Sequence, residues 1–381
     1  MSSRWVALPE CLAQSPVRVV FGPGRLAELG AIARDERAGR VLLVTDPGLV
    51  KAGHAEHAAA SLTEAGLDVT LFDGTRENPT TEHVDAGLAV AREAKIDFLV
   101  AVGGGSAMDC AKGVNILLTN GGAIADYWGV DKTSQPMLPS ICVPTTAGTG
   151  SEGQSFALIS DAQTHRKMAC GDRKAAARVA ILDPELTATQ PREVAIAAGI
   201  DAISHAVESA ATTARTDISR MFSRQAWRHI EPWFQTVIEH PEDAVARSHM
   251  LLGAHLAGVA IEYSMLGAAH ACANPLTARY GTPHGMAVGV MLPHVVRFNT
   301  IDGDNPYADL SDDAEALIRQ IESLRLTARL PVNLSELGVP QADLPALAQA
   351  AAEQWTASFN PRQVSALELL EIYRQAYGDQ V

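Results

Sequence analysis

Short apolar runs alternate with amphipathic stretches in the first half of the chain. Between about residues 15 and 185, runs rich in β-branched residues are followed by turn residues and then by alanine-rich segments. This alternation is typical of a parallel sheet covered by helices. We predict strands at residues 18–21, 41–45, 69–72, 98–102 and 140–143.

The pattern changes near residue 187 to long helical periods without clear strands. One helix face is marked by four apolar residues at helical spacing, Ile196, Ile200, Ile203 and Val207. Because 381 residues exceed what a single core usually serves, we predict two domains. Residues 1–188 should form an α/β domain, a Rossmann-like parallel sheet with helices on both faces. Residues 189–381 should form an all-α domain.

Charge and composition exclude several classes of partner. The net charge of −14 would repel phosphate backbones, and no basic run with interleaved aromatic residues counters it. Nucleic acid is therefore not an expected partner.

The N-terminal residues lack an apolar segment with a cleavage site, and no window reaches the ~18 apolar residues of a membrane span. Five scattered cysteines form no CxxC pair, which indicates free thiols. We expect a cytoplasmic protein without membrane contact.

The better of two candidate phosphate loops is Gly103-Gly-Gly105, which follows the most apolar predicted strand and opens a helix. Three glycines permit close backbone approach, and a helix N-terminus directs N–H groups at an anion. Ser106 and Asp109 have the spacing of a capping box. The other candidate, Gly22-Pro-Gly24 with Asp46 further on, is weaker because Pro23 removes one backbone N–H.

Two further segments have the chemistry of a nucleotide site. Asp46 ends a predicted strand, where a carboxylate can accept from the ribose hydroxyls and would repel a 2′-phosphate, which favours NAD over NADP. Asp46 could equally serve as the turn former before Pro47 and Gly48. The loop of residues 144–152 combines hydroxyl groups and glycines after a core strand, and such loops are more often functional than not.

Four residues have the character of ligands for one metal ion. Asp201 and His205 are four positions apart, so they share one face of a helix. His270 lies in an apolar run, where an unpartnered imidazole would be costly. His284 follows Thr282-Pro283, a plausible N-cap and N1 pair, so it should project from the first turn of a helix. Three imidazoles and one carboxylate suit Fe²⁺ or Zn²⁺ rather than Ca²⁺ or Mg²⁺, and the sequence does not choose between iron and zinc.

Five motifs extend these observations along nearly the whole chain. They are Glu77-Asn-Pro-Thr80, Gly103-Gly-Gly-Ser-Ala-Met-Asp109, Pro144-Thr-Thr-Ala-Gly-Thr-Gly-Ser-Glu152, Gly199-Ile-Asp-Ala-Ile-Ser-His205-Ala206, and Thr282-Pro-His-Gly285 leading to Leu292-Pro-His-Val295. With them the chain resembles the iron-containing (group III) alcohol dehydrogenases, and it is similar to lactaldehyde reductases and 1,3-propanediol dehydrogenases.

The resemblance implies the residues of an active site and a reaction. It implies metal binding by Asp201, His205, His270 and His284, with His270 and His284 acting in catalysis. It implies cofactor contacts at Asp46, Pro79, Gly104, Gly105, Ser106, Asp109, Thr145, Thr146 and Lys167. The expected reaction is reversible hydride transfer between NAD(H) and a small primary alcohol or aldehyde, with Fe²⁺ or alternatively Zn²⁺. The family often forms dimers through its first strand, so a homodimer or larger homo-oligomer is expected.

The chain departs from the family pattern at two places that bear on the substrate and the proton. Where the family commonly has a second histidine after the third ligand, this chain has Asn274, which cannot exchange a proton near neutral pH. Residues 261–265 also differ from the usual pattern. The alternatives are a glycerol dehydrogenase-like polyol enzyme, a dehydroquinate synthase-like lyase, and a binding or scaffold protein without activity. Against the last, all four ligands and the glycine loop are intact.

Overall fold

The computed structural model describes residues 6–164, 166–301 and 303–378. The chain divides into two compact units. One consists of the residues up to Thr146 together with Gly150–Gln190, and the other of Ala147–Thr149 and the residues from Pro191 onward.

The first unit contains a six-stranded parallel sheet and a separate three-stranded sheet. The strands are β1 (Arg18–Phe21), β2 (Arg40–Val44), β3 (Asp68–Phe72), β4 (Phe98–Gly103), β5 (Gly129–Val130), β6 (Ser140–Pro144), β7 (Phe156–Ser160), β8 (Lys167–Gly171) and β9 (Val179–Leu182). The large sheet has the order β1-β9-β6-β4-β2-β3, and the small sheet has the order β5-β8-β7. The five predicted strands are confirmed to within one residue at each end, whereas β5, β7, β8 and β9 were not predicted.

Both faces of the large sheet are covered, as the continuous apolar character of its strands predicts. The helices of this unit are α1 (Leu29–Asp35), α2 (Pro47–Lys51), α3 (His54–Glu64), α4 (Thr81–Glu93) and α5 (Gly105–Asn120). Alternate strand residues such as Val41 and Val100 pack in one core with residues of α1 and α3. The intervening residues, such as Leu42 and Leu99, are equally buried, and α5 packs against β2 and β4. The predicted Rossmann-like α/β fold is confirmed.

Among residues 191–301 and 303–378, the second unit has helices joined by loops and contains no strand. Its helices are α6 (Arg192–Ala211), α7 (Asp217–Glu239), α8 (Ala244–Glu262), α9 (Ala268–Tyr280), α10 (His284–Thr300), α11 (Ala314–Thr327), α12 (Leu344–Ala352) and α13 (Ala366–Tyr377). The predicted apolar face of α6 is buried at Ile196, Ile200, Ile203 and Val207. These contacts make α6 the central helix of the unit, packed against α7, α8 and α10.

Two helices of the second unit, α6 and α8, are long and apolar enough to cross a membrane by length and composition alone. Neither is an uninterrupted apolar run, and 78% of the most apolar window of each is buried inside the protein. Core helices of soluble proteins have the same character. Their hydropathy is therefore accounted for by the core that they build.

Candidate metal centre and nucleotide loops

Three helices of the second unit contribute the four predicted ligands. Asp201 and His205 lie one turn apart in the middle of α6, and both are buried. His270 is the third residue of α9, and His284 is the first residue of α10. Pro283 occupies the N-cap of α10, so the predicted start at Thr282 is one residue too early. The prediction that His284 lies in the first turn is confirmed.

Glycine at two positions of α10 lets this helix lie close against α6. A Cβ atom on Gly285 would lie 1.9 Å from the backbone oxygen of Ala197. One turn later, a Cβ on Gly289 would lie 2.7 Å from Cγ2 of Ile200. Separations this short are forbidden to real side chains, so only glycine permits the approach. The close contact brings His284, next to Gly285, within reach of Asp201.

One oxygen of Asp201 is the common neighbour of the three histidines. Oδ1 of Asp201 lies 3.4 Å from Nε2 of His205, 3.5 Å from Nε2 of His270 and 3.8 Å from Nε2 of His284. These separations exceed the 2.7–3.2 Å that is usual for hydrogen bonds with nitrogen donors. Among the described residues, Oδ1 of Asp201 and Nε2 of His270 are buried without a hydrogen bond of normal geometry.

The spacing of these atoms fits a divalent transition metal. Two ligand atoms that each lie about 2.1 Å from one tetrahedral ion are about 3.4 Å apart. The ligand atoms of Asp201, His270 and His284 all lie within 4.8 Å of one another. His205 is not part of that mutually close group, but its Nε2 lies 3.4 Å from the Asp201 carboxylate. Three imidazole nitrogens and one carboxylate oxygen are also the donor set that such an ion prefers. The residues present therefore fit a bound Fe²⁺ or Zn²⁺ ion.

The charges at this point favour a bound cation. Burial alone would raise the pKa of the Asp201 carboxyl, but the imidazole of His205, together with those of His270 and His284, holds the pKa well below its ordinary value. Burial lowers the pKa of His205, which keeps its imidazole neutral with a free lone pair. Burial would also lower the pKa of His270, but Glu208 and Asp201 raise it to about 9. The site is thus arranged to hold positive charge beside its carboxylates.

Glu208 is a residue of this site that the sequence analysis missed. It lies one turn after His205 on α6 and is buried. Its carboxylate accepts a hydrogen bond from Nδ1 of His270 at 2.5 Å and one from the backbone N–H of Ala269 at 2.7 Å. Glu208 lies on the same helix face as Asp201 and His205, because the three are spaced i, i+4 and i+7. This spacing is the sequence signal that could have revealed Glu208.

Asn274, the departure from the family pattern, lies on α9 and is half-buried. Its side-chain amide donates a hydrogen bond to Oε1 of Gln354 at 3.1 Å. The amide group is therefore held in place by a neighbouring polar side chain. Neither member of this pair titrates near neutral pH.

In the first unit, the predicted nucleotide residues gather at the carboxyl ends of adjacent parallel strands. Asp46 follows β2, Gly104 and Gly105 follow β4, and Thr145 and Thr146 follow β6. Because these strands are neighbours in the order β6-β4-β2, their loops share one edge of the sheet. The chain reverses its direction of addition to the sheet between β2 and β4, and ligands of such sheets bind at this switch point.

Asp46 performs the role of turn former. Its Oδ1 accepts hydrogen bonds from the backbone N–H of Gly48 at 2.8 Å and of Leu49 at 3.1 Å, and so caps α2. Its Oδ2 is 3.8 Å from the position of a Cβ on Gly103. The second oxygen is therefore next to the glycine loop, and capping leaves it compatible with a ribose contact.

The glycine loop begins α5 two residues earlier than the predicted capping box requires. Gly104 is the N-cap and Gly105 the first residue, so Ser106 lies within the first turn and the predicted capping box of Ser106 and Asp109 is wrong. A Cβ on Gly104 would lie 3.3 Å from Oγ1 of Thr146. Gly104 and Thr146 thus border a small space in front of the first N–H groups of α5, which have no partner within the helix.

Asp109 faces the interior of the first unit instead. Oγ of Ser151 donates a hydrogen bond to Oδ1 of Asp109 at 2.8 Å. The buried ammonium group of Lys112 in turn donates to the backbone oxygen of Ser151 at 2.7 Å and to that of Phe156 at 2.9 Å. Burial raises the pKa of Asp109 against the opposing effect of Lys112. This network fixes the end of the loop of residues 144–152 to α5.

Pro79 and Lys167 are brought together by the small sheet. The backbone oxygen of Pro79 accepts a hydrogen bond from the N–H of Ser160 at 2.9 Å. Ser160 is the register partner of Lys167 in the antiparallel pair of β7 and β8. The positive charge of Lys167 opposes the rise in the pKa of the Asp109 carboxyl that burial causes.

The weaker phosphate-loop candidate, Gly22-Pro-Gly24, has another function in the structure. The backbone N–H groups of Gly24 and Leu26 donate to the carboxylate of Asp183 at 3.1 Å and 2.9 Å. Asp183 is buried and takes the donors that a phosphate would need. This turn therefore anchors β1 to the segment after β9.

Comparison with known proteins agrees with the resemblance seen in the motifs. The family model for iron-containing alcohol dehydrogenase matches residues 16–184, and the model for the C-terminal part of the Fe-containing alcohol dehydrogenase family matches residues 195–377. Alcohol dehydrogenase 4 of Schizosaccharomyces pombe is 36% identical over 380 residues, which cover 97% of this chain and 90% of the relative.

Two further relatives match over almost their whole length. The NAD-dependent methanol dehydrogenase of Bacillus methanolicus is 33% identical, over 95% of this chain and 98% of that protein. The crystal structure of a 1,3-propanediol oxidoreductase superimposes with a TM-score of 0.92 at 34% identity, covering 95% of this chain and 98% of the other. The chain belongs to the iron-containing alcohol dehydrogenase family.

Proposed function

We propose that this protein is a metal-dependent oxidoreductase that transfers a hydride reversibly between NAD(H) and a small primary alcohol or aldehyde. The observation that carries the proposal is the convergence of Asp201 and three imidazoles in the second unit. Relatives named for methanol and 1,3-propanediol support a small alcohol as substrate. We further propose that the enzyme acts in the cytoplasm as a homodimer or larger homo-oligomer.

Asp201, His205, His270 and His284 are the proposed metal ligands. A divalent ion held there, Fe²⁺ or alternatively Zn²⁺, supplies a Lewis acid that lowers the pKa of an alcohol hydroxyl or polarises an aldehyde carbonyl. Asp201 contributes the only negative charge among the four ligands, and its low pKa keeps it ionised. His270 and His284 are also the proposed catalytic residues, because as ligands they would hold the ion that binds the reacting oxygen.

The first unit is proposed to bind NAD at the carboxyl ends of its strands. The backbone N–H groups of Gly105 and Ser106, at the start of α5, suit the diphosphate, and Gly104 leaves the space that the phosphates require. Asp46 suits the adenosine ribose and would disfavour the 2′-phosphate of NADP. The remaining proposed contacts come from Pro79, Asp109, Thr145, Thr146 and Lys167.

The proton of the alcohol needs a route that does not use residue 274. Asn274 and its partner Gln354 have amide groups, which do not exchange protons as a general acid or base does. Water or a ribose hydroxyl of the cofactor is the proposed carrier. Asn274 would then orient substrate or water through its amide without taking up the proton.

A substrate panel tests this proposal. Purified protein should reduce NAD⁺ with short primary alcohols, including methanol and 1,3-propanediol, more efficiently than with glycerol. The same assay with NADP⁺ should give a lower kcat/KM. Absence of NADH formation with every alcohol, in protein shown to contain metal, would contradict the proposal. Preference for glycerol would favour the polyol alternative.

A further inference from the structure

The carboxylate of Glu208 joins two elements of the second unit at the metal centre. One oxygen, Oε1, accepts the backbone N–H of Ala269, and the other, Oε2, contacts Nδ1 of His270. Glu208 is only 3% exposed, so water does not compete for these contacts. The two bonds connect α6, which carries Asp201 and His205, to the first turn of α9, which carries His270.

The direction of these hydrogen bonds decides which nitrogen of His270 is free. A backbone N–H can only donate, and an ionised carboxylate can only accept. Nδ1 of His270 must therefore carry a proton and donate it to Oε2. Nε2 is the nitrogen that remains for the metal. It lies 3.5 Å from Oδ1 of Asp201, the oxygen that is proposed to bind the same ion.

We propose that Glu208 is a positioning residue of the metal centre, which holds His270 with its proton on Nδ1 and its Nε2 lone pair directed at the metal. This inference rests on the proposed metal site and extends it to a residue that is not itself a ligand. Carboxylate partners of this kind orient a ligating imidazole and make it a stronger ligand.

The surroundings of Glu208 are shaped for this role. A Cβ on Gly267, the N-cap of α9, would lie 3.0 Å from Oε1 of Glu208 and 3.0 Å from Oδ1 of Asn360. Asn360 Oδ1 accepts the N–H of Ala268 at 3.2 Å. The first two N–H groups of α9 are thus received by two side chains that approach over a glycine. Together they fix where α9 begins, and hence where His270 lies.

Glu208→Gln is the sharpest variant because it keeps size and changes only donors and acceptors. An amide has one acceptor oxygen and one donor nitrogen. If its oxygen continues to accept from Ala269, its NH₂ group faces Nδ1 of His270. The imidazole then receives that hydrogen bond with a bare Nδ1 and carries its proton on Nε2, where it blocks the metal.

Tyr373→Phe is the matched control, because Tyr373 on α13 also holds α9 by a buried hydrogen bond. The hydroxyl of Tyr373 donates to the backbone oxygen of Cys272 at 2.6 Å, and both residues are buried. Its removal deletes a buried hydrogen bond to α9 without touching an imidazole. A purely structural role for Glu208 predicts that the two variants behave alike.

The experiment measures Zn²⁺ affinity of full-length protein by competition with a chromogenic chelator, alongside thermal unfolding. We expect Glu208→Gln to bind Zn²⁺ roughly 10–100-fold more weakly than the wild type, and Tyr373→Phe to bind it with unchanged affinity. Glu208→Asp, which retains a carboxylate, should recover part of the affinity. Equal Zn²⁺ affinity of Glu208→Gln and wild type would overturn the proposal, as would equal losses in Glu208→Gln and Tyr373→Phe.

A second measurement needs no variant at position 208. In Zn²⁺-loaded wild-type protein with ¹⁵N-labelled histidine, the ring of His270 should carry its proton on Nδ1 and bind zinc through Nε2. A proton on Nε2 would overturn the proposal even if Glu208→Gln does not fold. Alcohol oxidation is assayed separately, so a protein that binds Zn²⁺ as expected but lacks activity would contradict the proposed function alone.

Discussion

The metal centre of the second unit and the nucleotide loops of the first unit use different chemical groups of the chain. The metal centre consists of side chains, three imidazoles and a carboxylate, held by three packed helices. The nucleotide loops consist mainly of backbone, with glycine where bulk would interfere. A side-chain site loses its function when one donor is removed, whereas a backbone site loses it when an atom is added.

His284→Ala should have the largest effect, because it removes one of four ligands. We expect metal affinity to fall by more than the roughly 100-fold loss typical of residues that only support a ligand. Metal content after dialysis and alcohol-dependent NADH formation measure the result. His57→Ala, on α3 of the other unit, is the control and should retain both. Full metal content in His284→Ala would remove His284 from the ligand set.

Gly285→Ala should damage the same centre through packing. The added Cβ would meet the backbone of Ala197 at 1.9 Å, so α10 must move away from α6. We expect a loss of about 3 kcal/mol in the free energy of unfolding, together with weaker metal binding. Gly289→Ala is the comparison, because its Cβ would meet the Cγ2 methyl of Ile200 at 2.7 Å, a side-chain atom farther away than the backbone oxygen at Gly285, and should cost less. Equal thermal stability of the two variants would contradict this account of the helix contact.

Gly104→Ala should weaken NAD⁺ binding at the nucleotide loops and leave the metal centre unchanged. Its Cβ would enter the space beside Oγ1 of Thr146, 3.3 Å away, without disturbing the metal ligands. We expect the KM for NAD⁺ to rise about tenfold, equivalent to about 1.4 kcal/mol of binding free energy, with metal content unchanged. An unaltered KM would show that the cofactor does not approach this glycine. Thr146→Ser, which keeps the hydroxyl, is the control and should behave nearly as the wild type does.

The smallest expected effect concerns acid stability, at a place outside both sites. Nδ1 of His229 lies 2.9 Å from Nδ1 of His249, between α7 and α8, and Trp233 stacks on His249. Burial, and secondarily the charge of His249, lowers the pKa of His229 from 6.5 to about 4. Well above pH 6.5, the His229 imidazole is neutral in both the folded and the unfolded state. As the pH falls towards 4, the unfolded state takes up the proton first, so stability declines.

His229→Gln tests that decline. Allowing for partial exposure, we expect the wild type to lose about 1 kcal/mol through His229 over this range, or roughly 2–4 °C in Tm. The variant should show a correspondingly flatter dependence of Tm on pH. Identical slopes for the wild type and the variant between pH 6.5 and 4 would contradict the assignment.

The sequence predicted what depends on local pattern. Buried parallel strands such as β2 and β4 are apolar runs that end in turn residues, and they were located to within one residue. The proposed ligands Asp201 and His205 follow from helical spacing, and His270 from its apolar surroundings. The strands β7 and β8 were missed because each is short: β7 ends in Ser160 and its burial alternates, and β8 begins with Lys167 and has only three apolar residues before Gly171.

What could not be predicted depends on contacts between distant segments or on a shift of two residues in a helix start. Glu208 matters because α9 lies beside it, and this contact joins residues 62 positions apart. The capping box at Ser106 was wrong because α5 starts at Gly105. Asp109 is therefore not at the third position of the helix but further along it, where it is buried near Lys112. Asp183 takes the N–H groups of Gly24 and Leu26, which the local sequence around Gly24 does not indicate.

The central claim is that one metal ion, bound by Asp201, His205, His270 and His284, is required for alcohol oxidation with NAD⁺. Its most direct test is to strip the protein of metal with a chelator and to titrate Fe²⁺ or Zn²⁺ back while NADH formation from a short primary alcohol is recorded. The account predicts no activity in the stripped protein, and recovery that is complete at one ion per chain. Full activity in protein that is shown to contain no metal would contradict it.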